Sequence, residues 1–219
     1  MSSRRHRKTQ PRKEPLHMSA SFLDRTSPSS ANTAMMWVER MSLMNEVTAY
    51  RNENKHILAE PKQKEIVSID EKMHGPFSST SGLSWNKLGE IQFEMGKFAE
   101  SEVSLRKAVE IREGLGEDFD TAVSRDNLAR ALEALGRMEE AKETRLRGRG
   151  PQNISCTNWT CTIQQGLGFD KLKTCSQCKS VFYCSPNCQK MDWKTRHKKT
   201  CKPPITTTDA SIRTTTVPK

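Results

Sequence analysis

The sequence predicts a mainly α chain: a short array of helical hairpins, then a small cysteine-rich domain, with disordered ends. Three observations predict it. Between residues 35 and 149 apolar residues recur at spacings of three and four, and Gly and Pro are scarce inside the segments. All seven cysteines lie between Cys156 and Cys201, and none precedes them. Hydrophobic residues make up only 34% of the 219 positions and mean hydropathy is -0.76, so a large enzyme core is not expected. No apolar run approaches the ~20 residues of a membrane span, so no membrane association is expected. No apolar stretch follows the basic N-terminus as a secretory signal requires. The expected location is nuclear or cytoplasmic, not secreted.

The net charge is +10, and it is uneven. Residues 1–34 carry 7 basic and 2 acidic groups, and residues 150–204 carry 9 and 2. Between them, residues 35–83 hold 6 against 7 and residues 84–149 hold 12 against 14. A nearly neutral middle therefore separates two basic segments. Residues 1–34 are rich in Arg, Lys, Ser, Thr and Pro, and bury too little to offset the entropy of ordering, so they read as a disordered basic arm. Its run Arg4-Arg5-His6-Arg7-Lys8 fits a nuclear localisation signal, a polyanion-binding arm or a solvated tail. Residues 205–219 are Thr-rich and aperiodic, and read as a disordered tail.

Residues 35–149 repeat internally. At an offset of 40, Leu88 falls on Leu128, Gly96 on Gly136 and Ser101 on Ala141. Each unit reads as a helix, a Gly-containing turn and a second helix. Gly89 would let paired helices approach closely, Gly96 would cap the first helix in a left-handed conformation, and Trp85, Leu88 and Phe98 would fill the seam. A degraded earlier unit spans about 37–73, with helices over Trp37–Lys55 and Pro61–Lys72, Pro61 standing near a helix start. Trp85, Leu88, Gly89, Gly96, Phe98 and Ala108 resemble the tetratricopeptide (TPR) pattern, and the spacing of 40–42 resembles its kinesin-light-chain variety. Ser101 departs from the pattern, which prefers Ala there.

The cysteine segment, residues 150–204, reads Cys156-x4-Cys161-x13-Cys175-x2-Cys178-x5-Cys184-x3-Cys188-x8-His197-x3-Cys201. An odd, bunched set of cysteines suits metal in a reducing compartment better than disulfides. Structural zinc takes four Cys or His ligands in a closed tetrahedron, so eight donors complete two shells with none spare. Ser185 would cap a helix with Pro186 at its first position. His197 and Cys201, four apart, would share one face of the helical stretch. Spacing alone leaves open whether the shells are sequential or interleaved. A cysteine nucleophile needs a free thiol and catalytic zinc needs an open position, and neither is spare here. The run Lys194-Thr-Arg196-His-Lys198-Lys199 would attract phosphates, yet no reading helix of the finger type accompanies it, so specific DNA recognition is not expected.

With the His seventh among the ligands, and with Tyr183-Cys184, Cys188-Gln189 and Asp192-Trp193, residues 156–201 resemble the MYND-type zinc finger. Cys156-x4-Cys161 departs from the more usual Cys-x2-Cys. The resemblance implies a small two-zinc finger with interleaved sites. One structural Zn2+ would take Cys156, Cys161, Cys184 and Cys188, the other Cys175, Cys178, His197 and Cys201. It also implies a non-catalytic module for protein partners, receiving short proline-containing peptides at Ser176, Gln189 and Trp193. Trp193 could instead pack within the finger. Two other functions stand beside the adaptor or scaffold reading: a nuclear transcriptional regulator contacting DNA or chromatin, and an accessory subunit of a protein methyltransferase.

Overall fold

The computed structural model describes residues 28–116, 118–147, 154–163 and 166–203. The expected disordered tail lies outside these residues, as does most of the expected arm. Six helices come first: α1 Pro28–Asn52, α2 His56–His74, α3 Ser79–Glu94, α4 Phe98–Leu115, α5 Asp118–Ala134 and α6 Met138–Leu146. Each packs on the next, as three successive helical hairpins. α1 begins at Pro28, not after residue 34. Proline presets the dihedral of a first helical position, and nothing between Ser29 and Ala34 breaks a helix. α2 begins at His56, so Pro61 lies inside it and not near its start. The amide bond that Pro61 cannot make would have gone to Ile57, which is exposed, so water can satisfy that carbonyl.

The turn chemistry follows the sequence. Gly96 and Gly136 adopt φ of 75° and 82° after α3 and α5, the region that glycine alone enters without strain. The Ser78 hydroxyl accepts from the Ser81 amide at 3.1 Å and caps α3. Gly89 is a close-approach glycine: a Cβ there would stand 2.5 Å from Leu105 Cγ. Gly89→Ala is therefore expected to push α3 from α4 and to destabilise the chain by about 1–3 kcal/mol, read as a lower thermal midpoint.

Two apolar clusters close the array. Leu43, Val47, Ala59, Ile66, Ile69 and Ile91 join α1, α2 and α3, and Leu105, Val109, Leu128, Ala129, Leu132 and Ala141 join α4, α5 and α6. Polar groups are buried between them. Gln63 donates to the Ser84 carbonyl at 3.0 Å, and Ser104 donates to Gln92 Oε1 at 2.7 Å. Gln92 donates to Glu60 at 3.3 Å, and Lys97 pairs with Glu60 at 2.6 Å. Arg112 donates to Ser124, which donates to Asn86. Ser101, the departure from the repeat pattern, donates to the Gly89 carbonyl at 2.7 Å and ties α4 to α3 where they approach most closely. Arg40 pairs with buried Asp70 between α1 and α2. A low hydrophobic content is thus compatible with a packed array, because bonded polar side chains fill part of its seams. No helix among the described residues is long and apolar enough to cross a membrane.

Candidate metal centre

After α6 the chain changes character. A short 3-10 turn, Phe169–Lys171, leads into a two-stranded antiparallel ribbon, β1 Lys173–Thr174 and β2 Phe182–Tyr183, with Lys173 opposite Tyr183. Cys175 and Cys178 lie in the connection between the strands. The Cys175 amide donates to the Val181 carbonyl at 3.1 Å, and Lys179 turns the chain with φ of 58°. The Ser180 amide donates to Cys178 Sγ at 3.5 Å. Thr157 fastens the first knuckle to β2: its amide donates to the Phe182 carbonyl at 2.8 Å, and its hydroxyl accepts from the Phe182 amide.

α7, Pro186–Asp192, starts as the sequence predicts, with the Ser185 hydroxyl accepting from the Cys188 amide at 3.2 Å and Pro186 at the first position. It then widens into a π turn over Trp193–His197 and returns to α geometry in α8, Lys198–Thr200. His197 ends the widened turn, and the Cys201 amide donates to the His197 carbonyl at 2.9 Å, so the two lie one helical turn apart on one face as expected. Such bulges re-aim side chains, and here the turn carries His197 into the interior.

The eight candidate ligands form two groups. Cys156, Cys161, Cys184 and Cys188 converge in one, and Cys175, Cys178, His197 and Cys201 in the other, with each group's donor atoms within 4.8 Å of one another. The groups are interleaved along the chain. Four donors about 2.3 Å from a tetrahedral centre stand about 3.8 Å apart. The sulfurs of Cys161 and Cys184 are 3.6 Å apart, those of Cys184 and Cys188 3.5 Å, and those of Cys175 and Cys201 3.9 Å. His197 presents Nε2 at 3.5 Å from Cys178 Sγ. Donor type and spacing therefore fit zinc in both groups.

The thiols in each group differ in acidity. In the first, burial and the neighbouring thiols push Cys184 up to about 11. Cys188 goes the other way: burial opposes its ionisation, but the neighbouring polar side chains of Asn158 and Ser185 outweigh it and hold the thiol at about 7. In the second, burial and the charges of Cys178 and Cys175 push Cys201 up to about 12. Thiols packed together resist ionising, so binding through four thiolates in the first group and three in the second requires a cation and releases protons.

A charge cluster that the sequence reading missed joins this centre to the array. Arg145 on α6 donates to Asp126 at 2.6 Å, to Glu133 at 2.6 Å and to the Ser180 carbonyl at 2.9 Å. The other Glu133 oxygen accepts from Arg196 at 2.6 Å. Arg196 also donates to Asp192, which accepts from the Tyr183 hydroxyl at 2.7 Å. Ser180 donates to the Met138 carbonyl at 2.9 Å. Arg196 is therefore engaged inside the protein, and of the basic side chains in its run the lysines are the exposed ones.

The other predicted residues lie on the surface of the small domain. Ser176 is exposed and Gln189 half-buried, and no side-chain hydrogen bond is made by either among the described residues. Trp193 is half-buried, edge-on to His197 with ring centres 5.8 Å apart.

The fold and the donor set define a helical-repeat protein with a two-cluster zinc-finger segment. Residues 156–201 match the family model of the MYND finger, and residues 80–144 match a tetratricopeptide repeat model. The chain carries both: TPR-type repeats followed by a MYND finger. A 41-residue stretch is 51% identical to part of ubiquitin carboxyl-terminal hydrolase 19 of Arabidopsis thaliana, covering 19% of this chain and 6% of that protein. A 30-residue stretch is 57% identical to part of ubiquitin carboxyl-terminal hydrolase 17 of the same plant, covering 14% of this chain and 4% of that protein. The chain thus corresponds to a small part of either relative, in the finger region. Two crystal structures of TPR-like repeats of a Podosopora anserina kinesin light chain, one of them a single-residue variant, are 22% identical with a TM-score of 0.46. They cover 59% of this chain and 58% and 57% of theirs.

Proposed function

We propose that this chain is a non-catalytic adaptor that binds protein partners, its finger held by two structural zinc ions. Cys156, Cys161, Cys184 and Cys188 hold one ion, and Cys175, Cys178, His197 and Cys201 hold the other. The observation that carries the reading is the pair of complete four-donor clusters beside a helical-repeat array. Every cysteine and the one histidine of the segment are used, so neither shell keeps the open position that zinc catalysis needs. When bound, the ions supply folding free energy and fix the finger's surface. The similarity to ubiquitin hydrolases is confined to the finger, so no hydrolase chemistry is proposed.

On that surface, Ser176, Gln189 and Trp193 receive short proline-containing peptides. The exposed hydroxyl and the carboxamide are available to a peptide backbone, and Trp193 offers part of its ring to proline. Sequestration of Arg196 by Glu133 and Asp192 favours this reading over DNA contact, because it withdraws the one guanidinium from the basic run. The test is selection from a library of proline-containing peptides, repeated with Trp193→Ala. Removing a central aromatic anchor is expected to weaken the selected peptides by at least about tenfold, with zinc content unchanged. Equal binding by the variant would show the groove to be misassigned.

A further inference from the structure

A cavity of about 580 Å3 lies between the helical array and the first finger knuckle. Phe93, Leu105, Phe119 and Val123 wall it from the helices, and Trp159 and Ile163 from the finger. Its volume falls in the range of small-ligand sites. Trp193 does not line it, so it is separate from the peptide surface proposed above.

The carboxylates of this cavity are all paired with groups other than Arg130, and the ligand cysteines Cys156 and Cys161 also line it. Glu90 accepts from Asn86 at 2.7 Å and from Asn127 at 3.1 Å. Glu94 pairs with Arg51 at 2.7 Å and faces His56 at 3.2 Å. Asp126, one turn before Arg130 and its natural partner, is taken by Arg145. Arg130 is left over. Its guanidinium lies 5.8 Å from the centre of the Phe93 ring, and its buried Nε has no acceptor. No carboxylate pairs with it among the described residues. Burial lowers its pKa, with the charge of Asp126 opposing and that of Arg196 adding. A withdrawn cation without a hydrogen-bonded carboxylate is unfavourable, and its in-plane N–H groups suit one. The apolar walls suit an aromatic or aliphatic group carried beside it. Trp159, 65% exposed on the knuckle, is an aromatic surface still to be covered.

We propose that this cavity is a ligand site for an apolar group bearing one carboxylate, the carboxylate on Arg130 and the apolar part against Phe119 and Trp159. The same chemistry is offered by a small aromatic acid and by the apolar C-terminal residue of a peptide. The proposal does not depend on the proline-peptide surface, and Trp193→Ala leaves this binding unchanged.

The test is titration calorimetry on the full zinc-loaded chain with two matched pairs: naphthylacetate and its amide, and acetyl-phenylalanyl-leucine and its C-terminal amide. At least one acid is expected to bind at least about tenfold tighter than its amide, the scale of one charge-assisted contact. Arg130→Gln is expected to abolish that preference, and Trp159→Ala to weaken acid and amide alike. A peptide acid about tenfold tighter than the small acid assigns the source to a peptide end; the reverse order or equality assigns it to a small molecule. Equal affinity for acid and amide, or no binding of either acid, would overturn the proposal.

Discussion

Chelation of zinc is expected to release two ions per chain and to unfold residues 154–203, while α1 to α4 stay helical. The finger has little else to fold around. Its buried apolar side chains other than the ligands are Ile154, Val181, Phe182 and Tyr183, and the apolar cluster there is built largely from cysteines. Structural zinc supplies on the order of 10 kcal/mol per site in small finger domains, more than so few apolar side chains provide at about 2 kcal/mol each. The effect should reach the array. Without the finger, Arg145 loses the Ser180 carbonyl and Glu133 loses Arg196, so α6 should exchange its amide protons faster after chelation. α1 and α2, closed by their own apolar cluster, should exchange at the same rate as before. Acidification should mimic the chelator, since protons compete with the metal for the thiolates. Amide protection that persists across residues 173–201 after the metal is gone would contradict this account.

The metal centre was legible because its information is local. Spacing, residue type and one out-of-place histidine count to eight, and Ser185 with Pro186 marks a helix start within a few residues of the ligands. Gly89 and Gly96 were legible for the same reason: a close approach and a left-handed cap each have a glycine signature. The charge cluster was not. Glu133, Arg145 and Arg196 each look like ordinary solvent-facing helix residues, and Arg196 sits in a run that suggests phosphates. Their partners are 12 and 63 positions apart, and only docking of the finger brings them together. A weak signal was present. Glu133 follows Ala129 by four, and Arg145 follows Ala141 by four, which places both charges on the buried faces of α5 and α6. A charge on an apolar face is either paired or functional. The π turn at Trp193–His197 left no such mark, since no glycine or proline stands in it. The cavity at Arg130 was equally hidden, because it exists only between two segments that the sequence presents separately.

Glu133→Ala is expected to destabilise the chain by about 3–5 kcal/mol, the range for removing one member of a buried ion cluster. Its carboxylate is fully withdrawn from solvent, and each oxygen holds a different guanidinium: Arg145 of the array and Arg196 of the finger. Removing it leaves two buried cations near each other, with only Asp126 and Asp192 to offset them. The damage should be larger than at surface pairs such as Lys107 with Glu110, where about 0.5 kcal/mol is typical. Because Arg196 lies one residue before the ligand His197, the finger should also loosen, read as faster zinc transfer to a competing chelator. Glu133→Gln keeps the shape and removes the charge, and should give the same direction with a smaller loss. The pH dependence follows from the same contacts. Burial raises the Glu133 pKa, but Arg145 and Arg196 together outweigh it and hold the carboxyl below its ordinary value. A carboxyl depressed in the folded state contributes stability that is complete above the unfolded pKa, near about 4.3, and is lost as pH falls through the folded value. The stability difference between wild type and Glu133→Gln should therefore be flat above roughly pH 5.5 and shrink below it. Denaturant unfolding of both proteins across that range measures it. A difference that grows on acidification, or unchanged zinc transfer in Glu133→Ala, would show that this carboxylate does not join the finger to the array.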